Sequence, residues 1–356
     1  MNSSTVSVRT EILKLSKRSG CSHSYRKSLL KQLQQAIPFD AACCTTVDPD
    51  TLLSTGSVTD EEIEQIHDSL FAYDYLREDY IPYHQLAQSE DSTATLSLAT
   101  AGKLERSARY RDVLLPAGFQ DELRAALLYK GVCWGYLTLF RRFEKPTFTE
   151  EERLFIASLV PSIAQRLRKS SFAVPAAVQA EPEVEPGILV LNDKFDTLSA
   201  NDTAYKWLRR LREWEGISSS TTLPRPVRTA CFRALSMTNV SSTCKSCVHI
   251  PGYPYITIRA SKLHGDMDNA PLLAVTFEPA GPSDTLRRMA EAFELSEREK
   301  QVLDALIRGL STKEIALLLH ISAYTVQDHL KSIFIKTGVT SRRELVWSFF
   351  SRFGVV

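Results

Sequence analysis

The chain lacks any apolar run approaching the ~18 residues of a membrane-spanning helix, and no early apolar stretch resembles a secretion leader. A cytoplasmic protein without a membrane partner is expected. Net charge is also nearly absent. There are 43 Lys and Arg against 42 Asp and Glu in 356 residues, a formal +1. That balance excludes a protein that coats nucleic acid by bulk charge, and leaves room for a small nucleic-acid-contacting module on a neutral body. The seven cysteines are odd in number and scattered, so they do not form a disulfide framework. No Gly-rich phosphate loop, Gly-x-Ser-x-Gly elbow or His-Glu-x-x-His pair occurs. The start of the chain lacks the paired acids and later Lys of a phosphoacceptor receiver domain. With no catalytic set visible, the chain reads as a non-enzyme. There is no internal repeat.

What is present is concentrated near the C-terminus. Three Ser-x-x-Glu boxes occur there: Ser296 to Glu299, Ser311 to Glu314 and Ser341 to Glu344. In each, the Ser hydroxyl can accept the amide three residues on while the Glu reaches back. Val302, Leu303, Leu306 and Ile307 follow the first box at helical period, and Gly309 is placed as a left-handed stop. A second helix carries Ile315, Ala316 and Leu319. A turn of about three residues leads to Ser322 as the next cap. A third helix carries Val326, Leu330, Ile333 and Phe334 and stops at Gly338. Two short helices across such a turn form a helix-turn-helix.

The run LSEREKQVLDALIRGLSTKEIALLLHISAYTVQDHLKSIFIKTGVTSRREL, Leu295 to Leu345, resembles the LuxR-type (GerE-like) DNA-binding domain without a gap. The resemblance implies a four-helix module whose third helix lies in the DNA major groove. Gln327 departs from the basic residue common in that family, and Thr337 from an apolar one. On the third helix, Tyr324, Gln327, Asp328 and Lys331 share an outward face and are the expected base contacts. An amide suits adenine N6 and N7, and an ammonium suits guanine O6 or N7. Asp328 can accept a hydrogen bond from cytosine N4 or be held by Lys331. Thr312, Lys313, Ser322, Thr325, Lys336 and Arg342 are the expected phosphate-backbone contacts. The bland alternative is a solvated polar face.

The fourth helix has more apolar residues than one buried face needs. Val346, Trp347 and Phe350 are the expected dimer contacts, with packing on upstream domains as the alternative. A homodimer would read an inverted repeat in double-stranded DNA, its half-sites roughly 10 base pairs apart. RNA polymerase is a further partner to expect of such a regulator.

Upstream, the Pro, Ala and Glu-rich residues 171–186 and the shorter 279–288 read as linkers. They divide the chain into an α+β domain at 1–170, another at 187–278, and the helix-turn-helix domain at 289–356. In the first, the stripe Leu29, Leu30, Leu33, Ile37 precedes strands at Ala41 to Val47 and Thr51 to Thr55. A hairpin follows at Lys130-Gly131, between strands Asp121 to Tyr129 and Cys133 to Phe140. Thr149 then caps a helix with Leu154, Phe155, Leu159, Ile163 and Leu167 inward. The phrases IPFDAACCTTVDPDTLLSTG and LPAGFQDELRAALLYKGVCWGYLTLFR resemble a GAF-like sensor region. The run GILVLNDKFDTLSANDTAYKWL is similar to the opening of a PAS-like domain. Both folds imply room for a small effector, and neither names one; no cofactor is identified.

Cys244-Lys-Ser-Cys247-Val-His249 is the one metal-like cluster, read by default as an ordinary loop since no second pair of ligands follows. It carries the alternative of a redox- or metal-responsive sensor; a ligand-free interaction protein is another. Cys43 and Cys44 sit on a strand, one expected inward and one outward. Trp134 or Tyr136 could line a pocket, as could Tyr73, Tyr75, Tyr80, Tyr83 and His84. Arg106 and Arg109 read as surface arginines.

Overall fold

The computed structural model describes residues 3–18, 20–171, 185–237, 244–251, 253, 255–263, 271–281, 284, 286, 290–291 and 293–353, with the backbone alone for 3–4 and 348–353. They fall into two compact units, one drawn from 1–170, 185–248 and 258–277, the other from 171–184, 249–257 and 278–356.

The first unit opens with α1 (Ser3–Lys17) and α2 (Ser22–Ala36). The first sheet is built from β1 (Ala41–Val47), β2 (Ser54–Thr59), β3 (Thr93–Thr95), β4 (Phe119–Tyr129) and β5 (Val132–Arg142). Between its strands lie α3 (Glu61–Tyr75), α4 (Tyr83–Leu86) and α5 (Leu96–Ala99), and α6 (Glu150–Ser171) follows. The strand order is β2-β1-β5-β4-β3, with every pair antiparallel. The Lys130-Gly131 hairpin forms with φ of 52° and 78°, the two left-handed residues that a tight primed turn requires. Thr149 caps α6 in a reciprocal box with Glu152. Phe155, Leu159, Ile163 and Leu167 are buried, but Leu154 is exposed.

The second sheet comprises β6 (Gly187–Leu191), β7 (Thr197–Ala200), β8 (Cys244–Val248), β9 (Ile256–Leu263) and β10 (Leu272–Pro279). Its order, β7-β6-β10-β9-β8, repeats the relative order of the first sheet. Between β7 and β8 run α7 (Asp202–Glu215), capped by Asn201 as its side chain accepts the Ala204 amide, and α8 (Arg225–Ser236).

Four expectations need correction here. Strand β2 begins at Ser54 rather than Thr51, because Asp48 organises a longer turn. Its amide bonds the Leu53 carbonyl at 2.8 Å, and its carbonyl takes the Leu52 amide at 2.7 Å. Cys244 to Val248 is a strand and not a loop. Cys43 and Cys44 do face opposite sides of β1, yet both are buried, because helices cover each face. Arg109 is fully buried rather than at the surface, donating to Glu122 and, at 3.2 Å, to the Tyr80 carbonyl.

Within this unit the two sheet regions are fastened together. Gly56 on β2 (φ 153°) lies against Trp214 of α7, so close that an added Cβ would stand 2.3 Å from the indole ring. The Cys247 amide donates to Asp48 at 2.9 Å. Arg225 and Arg228 of α8, both buried, clamp Glu64 of α3, and Arg228 also reaches Asp68 at 2.8 Å.

The second unit ends in four helices, α9 (Glu297–Ile307), α10 (Thr312–Leu319), α11 (Ala323–Thr337) and α12 (Arg342–Phe353). Ser296 and Ser311 both form full capping boxes. Gly309 (φ 88°) passes its amide to Leu306 while Leu310 returns to Ala305, the left-handed closure expected of that glycine. At the third box Ser341 accepts the Glu344 amide, but Glu344 reaches Thr340 instead of Ser341.

Candidate nucleic-acid interface and upstream cavity

Helix α11 divides its residues by period. Val326, Leu330 and Ile333 are buried, and Thr337 joins them with its hydroxyl bonded to the Ile333 carbonyl at 2.7 Å. That internal bond explains how a polar residue is accommodated where an apolar one is common. Tyr324, Gln327, Asp328 and Lys331 are all exposed, at spacings of three and four that align them along one face. Lys331 stands 3.8 Å from Asp328, an exposed pair that costs little to open. Ser322 caps the helix by accepting the Thr325 amide at 3.0 Å.

A carboxylate and a backbone carbonyl hold the helices around this face in place. Glu299 of α9, buried, accepts from Lys336 at 2.6 Å, from Ser332 at 2.5 Å and from the Ser296 amide at 2.6 Å. Burial alone would push its carboxyl up. The hydrogen bonds from Lys336, Ser332 and Ser296 instead hold it down at about 2. Lys336 is thus engaged inside the module, and Arg342 donates to the Leu310 carbonyl at 2.6 Å. Thr312 and Thr325 are half-buried, while Lys313 is exposed. On α12, Leu345 is buried, Val346 half-buried and Trp347 69 % exposed. The Phe350 side chain lies outside the described residues.

Far upstream in sequence, a cavity of about 550 Å³ opens between the first sheet and α3, large enough for a small organic ligand. Of the aromatic candidates, Tyr75, Tyr83, His84 and Tyr136 line it; Trp134 does not. Tyr83 and Tyr136 stack with centroids 4.0 Å apart. Tyr83 bonds Thr138, and Tyr136 donates to the Leu52 carbonyl at 3.2 Å. Burial pushes the phenols of Tyr75, Tyr83 and Tyr136 up, so they stay neutral. Arg124 bonds Asp74 at 2.7 Å and lies 3.3 Å from Glu122, which also holds Arg109. His67 also lines the cavity. Burial, then Arg225 and Arg228, push its imidazole well below its usual value and keep it neutral.

The cysteine cluster loses its metal-like character. Cys244 and Cys247 lie three apart on a strand, which turns their side chains to opposite faces. Among the described residues no three His, Cys, Asp or Glu are placed to hold a metal ion, and no helix is long and apolar enough to cross a membrane.

The fold of the last four helices and the exposed polar face of α11 define a helix-turn-helix module. Residues 294–349 match the model of bacterial regulatory proteins, luxR family. The spore germination protein GerE of Bacillus subtilis is 40 % identical over 52 residues, which are 15 % of this chain and 70 % of that protein. The nitrate/nitrite response regulator protein NarP of Escherichia coli is 48 % identical over 48 residues, 14 % of this chain and 22 % of NarP. The chain therefore belongs to the LuxR family of bacterial regulatory proteins. It spans no more than 30 % of the length of NarP and three other curated regulators that it matches. A crystal structure of Escherichia coli SdiA is similar at 12 % identity and a TM-score of 0.33 over 98 % of both chains, a level that fixes neither fold nor ligand.

Proposed function

We propose that the chain is a transcription regulator that binds specific double-stranded DNA as a homodimer, under the control of its upstream sheets. The observation that carries this is the exposed face of α11, with Tyr324, Gln327, Asp328 and Lys331 aligned for base edges on a module of the LuxR family. Lys313, Thr312, Ser322 and Thr325 stand where phosphates would pass, near the N-termini of α10 and α11. Lys336 and Arg342 would reach phosphate only by sharing or leaving their present partners. The first sheet acts as a GAF-like sensor and the second as a PAS-like one. Support for the second is its five strands in the relative order second, first, fifth, fourth, third. An effector shifts DNA binding only if it prefers one arrangement of these sensors. Such a regulator works in the cytoplasm, with RNA polymerase as the further partner.

The test is to select bound fragments from random DNA with the full-length protein, where an inverted repeat is the expected product. Gln327→Ala should alter the base preferred at one position, at a cost of roughly 1–3 kcal/mol on the best site. Lys313→Ala should weaken all sequences alike and flatten the salt dependence by about one phosphate contact. Equal losses on cognate and random DNA for both variants would refute the assignment.

Trp347 is the residue proposed to anchor the dimer, since a large exposed aromatic beside half-buried Val346 suits a central interface contact. Trp347→Ala should weaken self-association by about tenfold or more, read by sedimentation of the full-length protein. An unchanged dimer constant would place the interface elsewhere.

A further inference from the structure

We propose that Cys43 is a peroxide-reactive thiol, and that an organic hydroperoxide entering the cavity beneath α3 oxidises it to the sulfenic acid. The thiol is no isolated side chain. Cys43 lines the 550 Å³ cavity, and four elements, its own strand among them, supply groups around its sulfur. Arg225 of α8 donates to Sγ at 3.0 Å, and Thr59 of β2 donates at 3.2 Å. Thr45 Oγ1 is 3.3 Å away and His67 Nε2 3.9 Å. A guanidinium and a hydroxyl thus converge on the sulfur of a residue that lines the cavity. Burial pushes the thiols of Cys44, Cys133 and Cys244 up to about 12, and that of Cys231 up as well. Cys21 is exposed.

A second observation points to a ligand. His67 is 94 % buried, lines the same cavity, and its Nδ1 has no hydrogen-bond partner among the described residues. An unanswered polar atom on a side chain that lines a cavity is a place for a guest's polar group. The remaining lining explains why an organic peroxide is preferred to hydrogen peroxide. Phe71, Leu70 and the stacked pair Tyr83 and Tyr136 offer apolar and aromatic surface to a hydrocarbon group.

The chemistry balances without another reagent. The Cys43 thiolate attacks the terminal oxygen of ROOH; an S–O bond forms and the O–O bond breaks, its electron pair leaving on RO⁻. The proton lost by the thiol ends on that oxygen, giving ROH. Sulfur is oxidised by two electrons and the peroxide is reduced by two. Arg225 and Thr59 face the sulfur throughout, and His67 faces the departing oxygen. Because Arg225 is shared with Glu64, the oxidised sulfur also acts on the clamp between α8 and α3. That regulatory consequence rests on the sensor reading of this sheet; the oxidation itself does not.

The experiment uses full-length protein carrying Cys21→Ser, which removes the exposed thiol and keeps a good helix cap on α2. Equimolar cumene hydroperoxide or hydrogen peroxide is added with dimedone, and adducts are mapped by peptide mass spectrometry. Expected is an adduct at Cys43 that forms at least about tenfold faster with cumene hydroperoxide than at Cys133 or Cys244. The rate should fall about tenfold in Thr59→Val, which keeps a test available should Arg225→Met fail to fold. Adduct formation at Cys43 no faster than at the other buried cysteines, or unaffected by Thr59→Val, would overturn the proposal. Faster labelling by hydrogen peroxide than by cumene hydroperoxide would overturn the choice of an organic peroxide. Selection of bound DNA by the untreated protein reports on the DNA reading separately.

Discussion

Arg225→Met should destabilise the first unit by about 3 kcal/mol or more, seen as a fall in the unfolding midpoint of the full-length protein. Arg225 is 1 % exposed and neutralises several acceptors at once. Its guanidinium holds Glu64 and the Cys43 sulfur, and its amide donates to Glu215 at 2.8 Å. Glu215 is half-buried, and burial pushes its carboxyl up against the pull of Arg225. Methionine fills much of the volume but leaves Glu64 with Arg228 alone and the Cys43 sulfur and Glu215 without the guanidinium, and breaking one side of a buried ion pair costs more than removing the whole set. Arg225→Lys should rescue little, because one ammonium cannot serve two divergent partners as a planar fork does. A loss below about 1 kcal/mol in Arg225→Met would show that water already screens the cluster.

Glu299→Gln should cost the helix-turn-helix module about 2 kcal/mol at pH 7, after discounting for the water that reaches the Lys336 ammonium. The folded carboxyl is held at about 2, against an ordinary 4.5. A folded value below the unfolded one adds stability that is complete above about 4.5 and is lost as the pH falls toward 2. The variant should therefore converge on the wild type in acid and separate from it above pH 5. Melting curves across that range check the sign. A gap that stayed the same on acidification would mean that Glu299 acts through packing and not through its charge.

The C-terminal module was the most legible part of the chain because its instructions are local. Ser296 and Glu299, or Ser311 and Glu314, stand three residues apart and need no distant partner. The Lys130-Gly131 turn was readable for the same reason. The upstream cavity was only half legible. A cluster of tyrosines and Tyr136 suggested a lining, but the charged wall did not show, since Arg109 meets Glu122 and Arg124 meets Asp74 only after the sheet closes. Helix α8 went unread because its buried face mixes Val227, Ala230 and Ala234 with Arg225 and Arg228. That pattern hides the apolar stripe until Glu64 and Asp68 supply the counter-charges. Strand β8 went unread because Lys245 and Ser246 interrupt the alternation, although Ser246 is buried in the sheet. The outward face of α11 was legible because Tyr324, Gln327, Asp328 and Lys331 recur at helical spacing.

Arg109 and Arg124 bring two formal positive charges to one wall of the sheet, and Glu122 and Asp74 bring two negative ones. Guanidinium groups do not shed their protons in the physiological range, so the positive half of this quadrupole stays in place. Asp74 and Arg124 both line the chamber, so a guest there meets the dipole of a pair and not a lone charge.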